Sequence, residues 1–499
     1  MKILSASQIK ALDQFTIQKE NISSWDLMER ASHAFCKWLI DKFDQSYTIT
    51  IIAGTGNNGG DGLAIARILK KEGYAVKVMV VGNHEQGSPD FLINFNNLPK
   101  DHSLSMIQSE LDLDVLHDSD IIIDALFGSG INRALTGVYA KVVNHINQSK
   151  AIKISVDVPS GLFCDLLNAP GDPIVHANYC LTFQLPKFSF LLPENEKFLG
   201  EWSVVDIGLD EAYIEHQTGD HHFLLKEDVQ SKVKARAKFS HKGTFGHALI
   251  MAGSFGKIGA AALASKACLR TGVGLLTVQV PKCGYQIIQT SVPEAMCIAD
   301  DSENELSTLQ NLVLYDAVGI GPGIGKSNLT KNLLENVLTT YKKPLVIDAD
   351  GLNILSEYPE LLKTLPSKSI LTPHPKEFER LTEKAKNSSK RLELLRYFSV
   401  NNDCITVLKG AYSVICSSEG TIYFNSTGNP GMATGGSGDV LTGIITSLLA
   451  QGYSSIDAAI LGVYLHGYAG DCAAYQLGFE SMIASDIIEH IYQFFKIIH

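Results

Sequence analysis

The sequence predicts an α/β protein of two domains, and two observations lead to this prediction. Short, β-branched apolar segments alternate with segments of helical pattern along most of the chain. This alternation is typical of a parallel sheet that is covered by helices on both faces. The chain also has 499 residues, which is more than one hydrophobic core usually supports. We therefore expect two independent sheets, one in each half.

The N-terminal half supplies the first series of elements. Its predicted strands cover residues 48–53, 76–81, 121–125 and 152–157, and its predicted helices cover about 62–71 and 137–147. This order predicts a Rossmann-like, doubly wound domain, which we place at residues 1–215. In such a domain ligands bind at the carboxyl ends of the strands.

The C-terminal half begins a second series after a polar, irregular stretch near residues 217–222. We place the second α/β domain at residues 225–499. Its predicted strands cover 247–252, 275–280, 317–320, 345–349, 370–372 and 405–408, and its predicted helices cover about 259–271 and 440–449. The two halves share a class of architecture rather than a repeated sequence.

Composition narrows the range of functions. Hydrophobic residues make up 45% and charged residues 19%, as in soluble globular proteins. The formal net charge of −11 argues against nucleic-acid binding. The nine cysteines include no C-x-x-C pair, so we expect neither a zinc cluster nor a disulfide scaffold. Without a signal peptide or an apolar run of membrane-spanning length, we expect a cytoplasmic protein that does not bind membranes. Homo-oligomerisation stays open.

The glycine-rich segment at residues 429–443 carries the strongest chemical signal. It reads Asn-Pro-Gly-Met-Ala-Thr-Gly-Gly-Ser-Gly-Asp-Val-Leu-Thr-Gly. The free N–H groups at the start of the helix that follows would form an anion site. A carboxylate there would repel a phosphate unless it acts on a neighbouring hydroxyl, so we interpret Asp439 as a catalytic base. The alternative is an ordinary helix cap with glycine packing.

Polar residues also follow three strands of the N-terminal half, at residues 57–61, 124–130 and 157–161. We expect them to meet at one edge of the sheet. A G-x-G-x-x-G begins at Gly54, but no acidic residue ends the next strand, so the ribose-binding part of a dehydrogenase fingerprint is missing. We interpret these glycines as a loop that contacts an anion through its backbone. For the aspartates of this edge, capping of the turns that follow is the alternative.

The Gly-Ser-Gly-Asp turn resembles that of ribokinase-like enzymes, and the full glycine-rich string resembles the dehydratase domain of the NAD(P)H-hydrate repair enzymes. These dehydratases use an adenine nucleotide to remove water from NADHX or NADPHX. The resemblance implies a ribokinase-like second domain that uses ADP, or ATP, with Mg²⁺. It implies that the hydrated cofactor contacts Ala260, Gly323, His374 and Asp439. It implies that the nucleotide contacts Lys409, Gly410, Ala411, Tyr412, Ser413 and Gly438.

For two of these residues, the neighbouring sequence also indicates a role without the resemblance. Prolines on both sides of His374 fix its backbone, which favours a positioned side chain over an ordinary structural histidine. Lys409 ends a predicted strand and precedes a glycine, which suits a counter-charge for phosphate. The alternative for Lys409 is simple exposure to solvent.

The motifs Asn-Asn-Gly-Gly-Asp-Gly, Asp-Ala-Leu-Phe-Gly-Ser-Gly and Asp-Val-Pro-Ser-Gly together resemble the NAD(P)HX epimerase domain. The resemblance implies a substrate site of Asn57, Asn58, Gly59, Gly60, Asp61, Gly128, Ser129, Gly130, Ile131, Asn132, Arg133, Ala134 and Asp157. It also implies a K⁺ ion near Asn58, Asp124 and Ser160, whose oxygens are hard ligands for a hard cation. We choose Asp157 as the acid/base.

The combined prediction is a bifunctional repair enzyme with small-molecule substrates. Hydration of the nicotinamide ring creates a stereocentre at C6, so a dehydratase that accepts one epimer needs an epimerase for the other. Two alternatives stay open. A ribokinase-like kinase would leave a stable phosphorylated product, and a nucleotide-sensing N-terminal module would bind without catalysis.

Overall fold

The computed structural model describes residues 1–99, 103–109 and 119–498. The chain divides into two units. The N-terminal unit comprises Lys2–Gly219, and the C-terminal unit comprises Met1 together with the chain from Asp220 onward. Each unit is built around its own sheet.

All strand pairings among the described residues of the N-terminal unit are parallel. Its strands are β1 (Thr48–Ala53), β2 (Ala75–Val81), β3 (Ser103–Ile107), β4 (Ile121–Ala125), β5 (Ile152–Val156), β6 (Tyr179–Phe183) and β7 (Glu201–Val205). They lie in the order β3-β2-β1-β4-β5-β6-β7. The carboxyl ends of β1, β4 and β5 are therefore neighbours at one edge, as the sequence predicts.

Helices cover both faces of this sheet. They are α1 (Ala6–Glu20), α2 (Ser24–Lys42), α3 (Asn57–Lys71), α4 (Pro89–Asn96), α5 (Gly137–Gln148), α6 (Glu196–Leu199) and α7 (Glu211–His216). Ile49 and Ile51 of β1 are buried in one apolar cluster with residues of α2 and α3, whereas Ile52 is buried in a second cluster with residues of α5. Burial on both faces explains the continuous apolar strands. The doubly wound prediction is confirmed.

One boundary in this unit differs from the prediction. Helix α3 begins at Asn57 rather than near Gly62, so residues 57–61 form its first turn and not a loop. Glycine makes this early start feasible, because a Cβ atom on Gly59 would lie 1.8 Å from the carbonyl oxygen of Gly54. The N–H groups of this turn are consequently those of a helix N-terminus.

The sheet of the C-terminal unit contains ten strands within residues 220–498, the part of this unit that the structure describes. They are β8 (His221–Phe223), β9 (His247–Met251), β10 (Leu275–Val280), β11 (Met296–Ala299), β12 (Ala317–Ile320), β13 (Val346–Ile347), β14 (Ile370–Leu371), β15 (Ile405–Leu408), β16 (Val414–Cys416) and β17 (Ile422–Phe424). Their order is β11-β10-β9-β12-β13-β14-β15-β16-β17-β8. Only the pairings of β16 with its two neighbours are antiparallel. The stretch predicted as irregular near residue 222 contributes β8, which pairs with β17.

The helices of this unit are α8 (Lys226–Gln230), α9 (Ile258–Arg270), α10 (Tyr285–Ser291), α11 (Asn328–Thr340), α12 (Asp350–Glu357), α13 (Pro375–Leu381), α14 (Ser388–Asn401), α15 (Ser437–Ala450), α16 (Ser455–Leu477) and α17 (Ala484–Ile498). Residues of α9, α15, α16 and α17 form the main apolar cluster with the sheet. The prediction of a second α/β sheet is confirmed. Within the described ranges, no helix has both the length and the apolar character needed to cross a membrane.

Candidate active sites

A cavity of about 1170 Å³ lies at the edge of the N-terminal unit where the strand ends meet. Most of the predicted substrate residues line it, namely Asn57, Asn58, Asp61, Gly128, Ser129, Gly130, Ile131, Asn132, Arg133, Ala134 and Asp157. Gly59 and Gly60 are buried in the first turn of α3 instead. The cavity has the size of a site for a small organic ligand.

Asp157 follows β5 with an unusual backbone angle, φ +64°. Its Oδ1 atom accepts hydrogen bonds from Thr182 Oγ1 at 3.1 Å and from the N–H of Phe183 at 3.2 Å. It also forms an ion pair with Lys187 Nζ at 2.9 Å, and the Lys187 side chain is only 1% exposed. Three donors, one of them a cation, therefore stabilise the negative charge of this carboxylate.

Asp13 of α1 also lines this cavity, and the sequence analysis missed it. Burial raises the pKa of Asp13 to about 7, with the charge of Asp157 adding to the shift and that of Lys187 opposing it. Burial likewise raises the pKa of Asp61 well above its usual range, with contributions from Asp157, Asp13 and Asp90. The cavity thus gathers several carboxyl groups around one buried ammonium group.

Asp124 and Ser160, two of the three residues predicted for K⁺, are in direct contact. Asp124 accepts from Ser160 Oγ at 2.5 Å, from the N–H of Ser160 at 2.8 Å and from Ser155 Oγ at 2.8 Å. Burial raises the pKa of the Asp124 carboxyl, and these hydrogen bonds oppose the shift. The third residue, Asn58, has a buried side-chain nitrogen without a hydrogen-bond partner among the described residues.

This set of groups fits a hard cation in its chemistry. Amide, hydroxyl and carboxylate oxygens are the usual ligands of such ions. Since the nitrogen and oxygen of an amide exchange places by a simple turn, the unpaired end of Asn58 can also present its oxygen. A cation near Asn58 would then satisfy a buried polar group that otherwise lacks a partner.

In the C-terminal unit, the glycine-rich segment leads into α15 as predicted. Gly436 has φ +91° and precedes the first residue of the helix, Ser437. The carboxylate of Asp439 makes no hydrogen bond or ion pair with any residue that the structure describes. Burial raises its pKa to about 6, with Asp348 and Asp350 adding to the shift and Lys409 opposing it. Asp439 is therefore mainly ionised at neutral pH and free to accept a proton.

Asp348, which follows β13, organises the groups around Asp439. Its buried carboxylate accepts from Lys409 Nζ, from Thr442 Oγ1 and from the N–H of Ala349, each at 2.8 Å. A Cβ atom on Gly438 would lie 3.3 Å from Lys409 Nζ and 3.5 Å from Asp348 Oδ2. The ends of β13 and β15 and the start of α15 are thus joined at one point.

The predicted nucleotide residues 409–413 form a turn next to this point. The N–H of Lys409 donates to the carbonyl oxygen of Pro373 at 3.0 Å, which places this turn beside the end of β14. Within the turn, the hydroxyl of Ser413 donates to the carbonyl oxygen of Gly410 at 3.2 Å. Lys409 therefore lies next to Pro373 and close to His374, which follows Pro373 in the chain.

His374 is the N-cap of α13. Its Nδ1 atom accepts from the N–H groups of Lys376 at 3.1 Å and Glu377 at 3.2 Å, and its Nε2 atom lies 3.5 Å from Glu377 Oε1. The ring is thus fixed in place, and its side chain is 42% exposed. A structural role for His374 is present, and its contact with the substrate stays a prediction.

Gly323 and Ala260 are neighbours, because a Cβ atom on Gly323 would lie 3.3 Å from the Cβ atom of Ala260. The N–H of Gly325 donates to Asp350 Oδ2 at 2.9 Å, which ties this loop to the segment that follows Asp348. Of the predicted substrate residues of this unit, Gly323 thus lies beside Ala260 of α9, in a loop that Asp350 holds.

Sequence reasoning missed His466 of α16. Its Nε2 atom lies 3.3 Å from the hydroxyl of Ser437 at the start of α15. Burial lowers the pKa of His466 to about 4, so the ring is neutral at physiological pH. Nothing in the helical sequence around His466 distinguishes it from an ordinary core histidine. Asp348 differs, because it lies in an Asp-Ala-Asp segment at the end of a predicted strand, a position that indicates a site residue.

Comparison with known proteins matches each half separately. The family described as NAD(P)H-hydrate dehydratase matches residues 248–493. The family described as YjeF-related protein N-terminus matches residues 24–189. A solved ribokinase-like superfamily protein from Enterococcus faecalis V583 is 26% identical, with a TM-score of 0.50, and the match covers 56% of this chain and 98% of that protein.

Two curated relatives match almost from end to end. The bifunctional NAD(P)H-hydrate repair enzyme Nnr of Moorella thermoacetica is 36% identical over 513 residues, which covers 98% of this chain and 96% of the relative. The protein of the same name from Coxiella burnetii is 35% identical over 486 residues, with 97% of each chain covered.

Proposed function

Because the chain belongs to the family of bifunctional NAD(P)H-hydrate repair enzymes, we propose that its two units act in sequence on NADHX or NADPHX. The N-terminal unit interconverts the R and S epimers. The C-terminal unit dehydrates the S epimer to NADH or NADPH, with consumption of a nucleotide and release of phosphate. The observation that carries the proposal is the partly buried Asp439 carboxylate at the start of α15, which has no partner in the described part of the chain and lies near the Lys409–Asp348 ion pair.

In the C-terminal site the leaving group has to be improved, because hydroxide leaves poorly. Asp439 accepts the proton of the C6 hydroxyl. The hydroxyl oxygen receives a phosphoryl group from ADP, or from ATP, at the same time. The N–H groups at the start of α15 and the ammonium group of Lys409 stabilise the charge of that phosphoryl group. Phosphate then leaves C6, the adjacent ring carbon loses a proton, and the dihydropyridine ring is restored.

Mg²⁺ fits this site as a companion of the nucleotide. No group of three or more His, Cys, Asp or Glu side chains that could hold a metal occurs in the described part of the chain. Asp350 already accepts from Gly325 and pairs with Lys257, and Asp348 is likewise occupied. The ion would therefore be held mainly by phosphate oxygens, as is common for Mg²⁺, and would supply charge neutralisation.

In the N-terminal site, Asp157 faces the bound ring. Epimerisation at C6 requires the hydroxyl to leave and return, which places positive charge on the ring between the two events. The carboxylate of Asp157, fixed by Thr182 and Lys187, stabilises that charge. K⁺, held by Asn58, Asp124 and Ser160, would order the loops at this edge.

A product analysis tests the proposed function and separates it from the kinase alternative. Purified protein is mixed with NADHX, ADP and MgCl₂, and the absorbance of the reduced nicotinamide is followed together with free phosphate. The proposal expects one phosphate for each NADH formed. A phosphorylated hydrate that accumulates without NADH would instead identify a kinase.

A further inference from the structure

Among the described residues that line the N-terminal cavity, Asp13 is the one carboxyl group outside all three sequence motifs of this unit. The cavity receives ionisable side chains from separate segments, namely Lys10 and Asp13 of α1, Asp61 of α3, Arg133 after β4, Tyr139 of α5, Asp157 after β5 and Lys187 after β6. Asp157 is occupied by Lys187 and two further donors. The Asp13 carboxyl forms no hydrogen bond or ion pair with residues 1–99, 103–109 or 119–498, so it is available to a ligand.

The surroundings of Asp13 allow its carboxyl to change protonation state during turnover. Burial and the negative charge of Asp157 raise its pKa to about 7, against the opposing charge of Lys187. At neutral pH both the acid and the carboxylate are therefore populated, which is the condition for efficient general acid–base catalysis. Asp157 differs in its contacts, because its carboxylate already pairs with the buried ammonium group of Lys187 and accepts two further hydrogen bonds.

We propose that Asp13 donates and recovers the proton in the epimerase site, whereas Asp157, held by Lys187, stabilises the charged ring. The inference rests on the epimerase function proposed above and divides its chemistry between two carboxyl groups. It assigns a catalytic role to a residue of α1, a helix that none of the strand-end motifs includes.

The step balances without any oxidant or reductant. The C6–O bond breaks, its electron pair stays with the oxygen, and the proton of Asp13 joins that oxygen to form water. The lone pair of the ring nitrogen forms a double bond to C6, so the ring becomes a cation. Water then adds through its oxygen to the opposite face of C6, the nitrogen recovers its electron pair, and the released proton returns to Asp13 through the departed water.

The test follows the epimer ratio of NADHX in the full-length protein without nucleotide, so that dehydration cannot remove the substrate. Chromatography separates the epimers, and the rate without protein is subtracted. Asp13→Asn should lower the enzyme-catalysed rate by about 10²–10⁴-fold while leaving KM near the wild-type value. Asp13→Glu should restore part of the rate. Asp41→Asn, the same exchange at an exposed position of α2, is the matched control and should be unaffected.

The pH profile provides a second readout that a purely structural role would not move. Since the acid form of Asp13 is required for hydroxyl departure, the wild-type rate should fall about tenfold per pH unit above pH 7. The residual activity of Asp13→Asn should lack this fall. If the fall persists in folded Asp13→Asn and disappears in Asp61→Asn, the proton donor is Asp61 and the inference is wrong.

The remaining outcomes separate the inference from the function on which it rests. A wild-type protein that leaves the epimer ratio unaccelerated would refute the epimerase function and the role of Asp13 together. A wild type that epimerises beside an equally active Asp13→Asn would refute only the role of Asp13. If Asp13→Asn fails to fold, the rate of Asp13→Glu and the wild-type pH profile still test the role of Asp13.

Discussion

At the scale of single residues, Asp439 combines two properties that a base in a phosphoryl-transfer site needs. It is free of hydrogen bonds from the described residues, and its pKa of about 6 keeps it ionised at neutral pH. Asp348 supplies part of that shift through its negative charge and also holds Lys409 at 2.8 Å. The buried carboxylate of Asp348 thus positions Lys409 and raises the pKa of Asp439.

Replacing Asp439 should separate catalysis from binding. Asp439→Asn should lower dehydration about 10²–10⁴-fold, because the base is lost while the backbone N–H groups that bind phosphate remain. Steady-state rates and nucleotide binding by calorimetry would show this. Glu489→Gln, an exposed exchange of the same kind on α17, is the control. Near-normal turnover in Asp439→Asn would remove Asp439 from its role.

The pH dependence of dehydration follows from the same carboxyl group. Since Asp439 must be ionised to accept a proton, kcat should fall about tenfold for each pH unit below 6 and should level off above it. Initial rates between pH 5 and 8, with the stability of the substrate checked at each pH, provide the measurement. A flat profile across this range would contradict the assignment.

The raised pKa of Asp439 also predicts a gain in stability on mutation. A carboxyl group whose pKa is higher in the folded state favours folding below its unfolded pKa near 4, and this contribution is lost as the pH rises through 6. Asp439→Asn should therefore raise the free energy of unfolding above pH 6 by about 1–3 kcal/mol. Urea unfolding at pH 7.5 and at pH 4.5 should show that the difference shrinks at the lower pH.

The proposed cation site makes a separate prediction. K⁺ should accelerate epimerisation more than Na⁺, because the buried amide nitrogen of Asn58 has no partner among the described residues and Asp124 and Ser160 supply further oxygen ligands in the proposed site. Epimer exchange measured at equal ionic strength over a range of K⁺ and Na⁺ concentrations tests it. Identical rates in the two salts would count against the ion.

The sequence identifies residues that follow strands better than residues that helices bring in. Asp124 lies near the end of β4 and Asp157 follows β5, so the parallel topology alone places them at the binding edge. Asp13 and His466 lie on helices, where nothing local marks them as different from ordinary polar positions. Their environments arise only from tertiary packing.

At the scale of elements, α3 and α15 use the same arrangement. Each helix begins inside a glycine-rich motif, and each presents its first N–H groups at the carboxyl edge of a sheet. Glycine also permits close helix packing, because a Cβ atom on Gly443 of α15 would lie 2.0 Å from the carbonyl oxygen of Ala264 in α9. The position of the catalytic turn therefore depends on this contact.

A methyl group at Gly443 should disturb that contact. Gly443→Ala should lower the free energy of unfolding of the C-terminal unit by about 1–3 kcal/mol, because the clash is with backbone and cannot be relieved by a side-chain rotation. Gly435→Ala, where an added Cβ meets nothing within 4 Å, is the matched control for stability. Urea unfolding of both variants decides, and equal stabilities would contradict the packing argument.

Elements in the middle of each sheet were predictable because they are buried on both faces and therefore read as continuous apolar runs. The two residues of β13 lie inside the predicted strand at 345–349, whereas β17 has three residues, too few to show a period, and no strand is predicted there. The sequence analysis also missed α1 and α2, in which polar residues interrupt the apolar positions. The antiparallel β15–β16–β17 segment was likewise not foreseen.

At the scale of the whole molecule, the two units have separate sheets and separate apolar cores. Each unit is long enough to support its own core, so each is expected to fold alone. The proposed chemistry divides in the same way, with epimerisation in one unit and dehydration in the other. The division of labour can therefore be tested with the two units as separate proteins.

The most direct test follows NADH formation from a mixture of R and S NADHX with ADP and Mg²⁺. The full-length protein should consume both epimers in one fast phase. A protein that begins at residue 220 should consume the S epimer quickly and then slow to the rate of spontaneous epimerisation, and adding residues 1–219 as a second protein should restore the single fast phase. A C-terminal protein that clears both epimers at one rate would contradict the proposed division of labour.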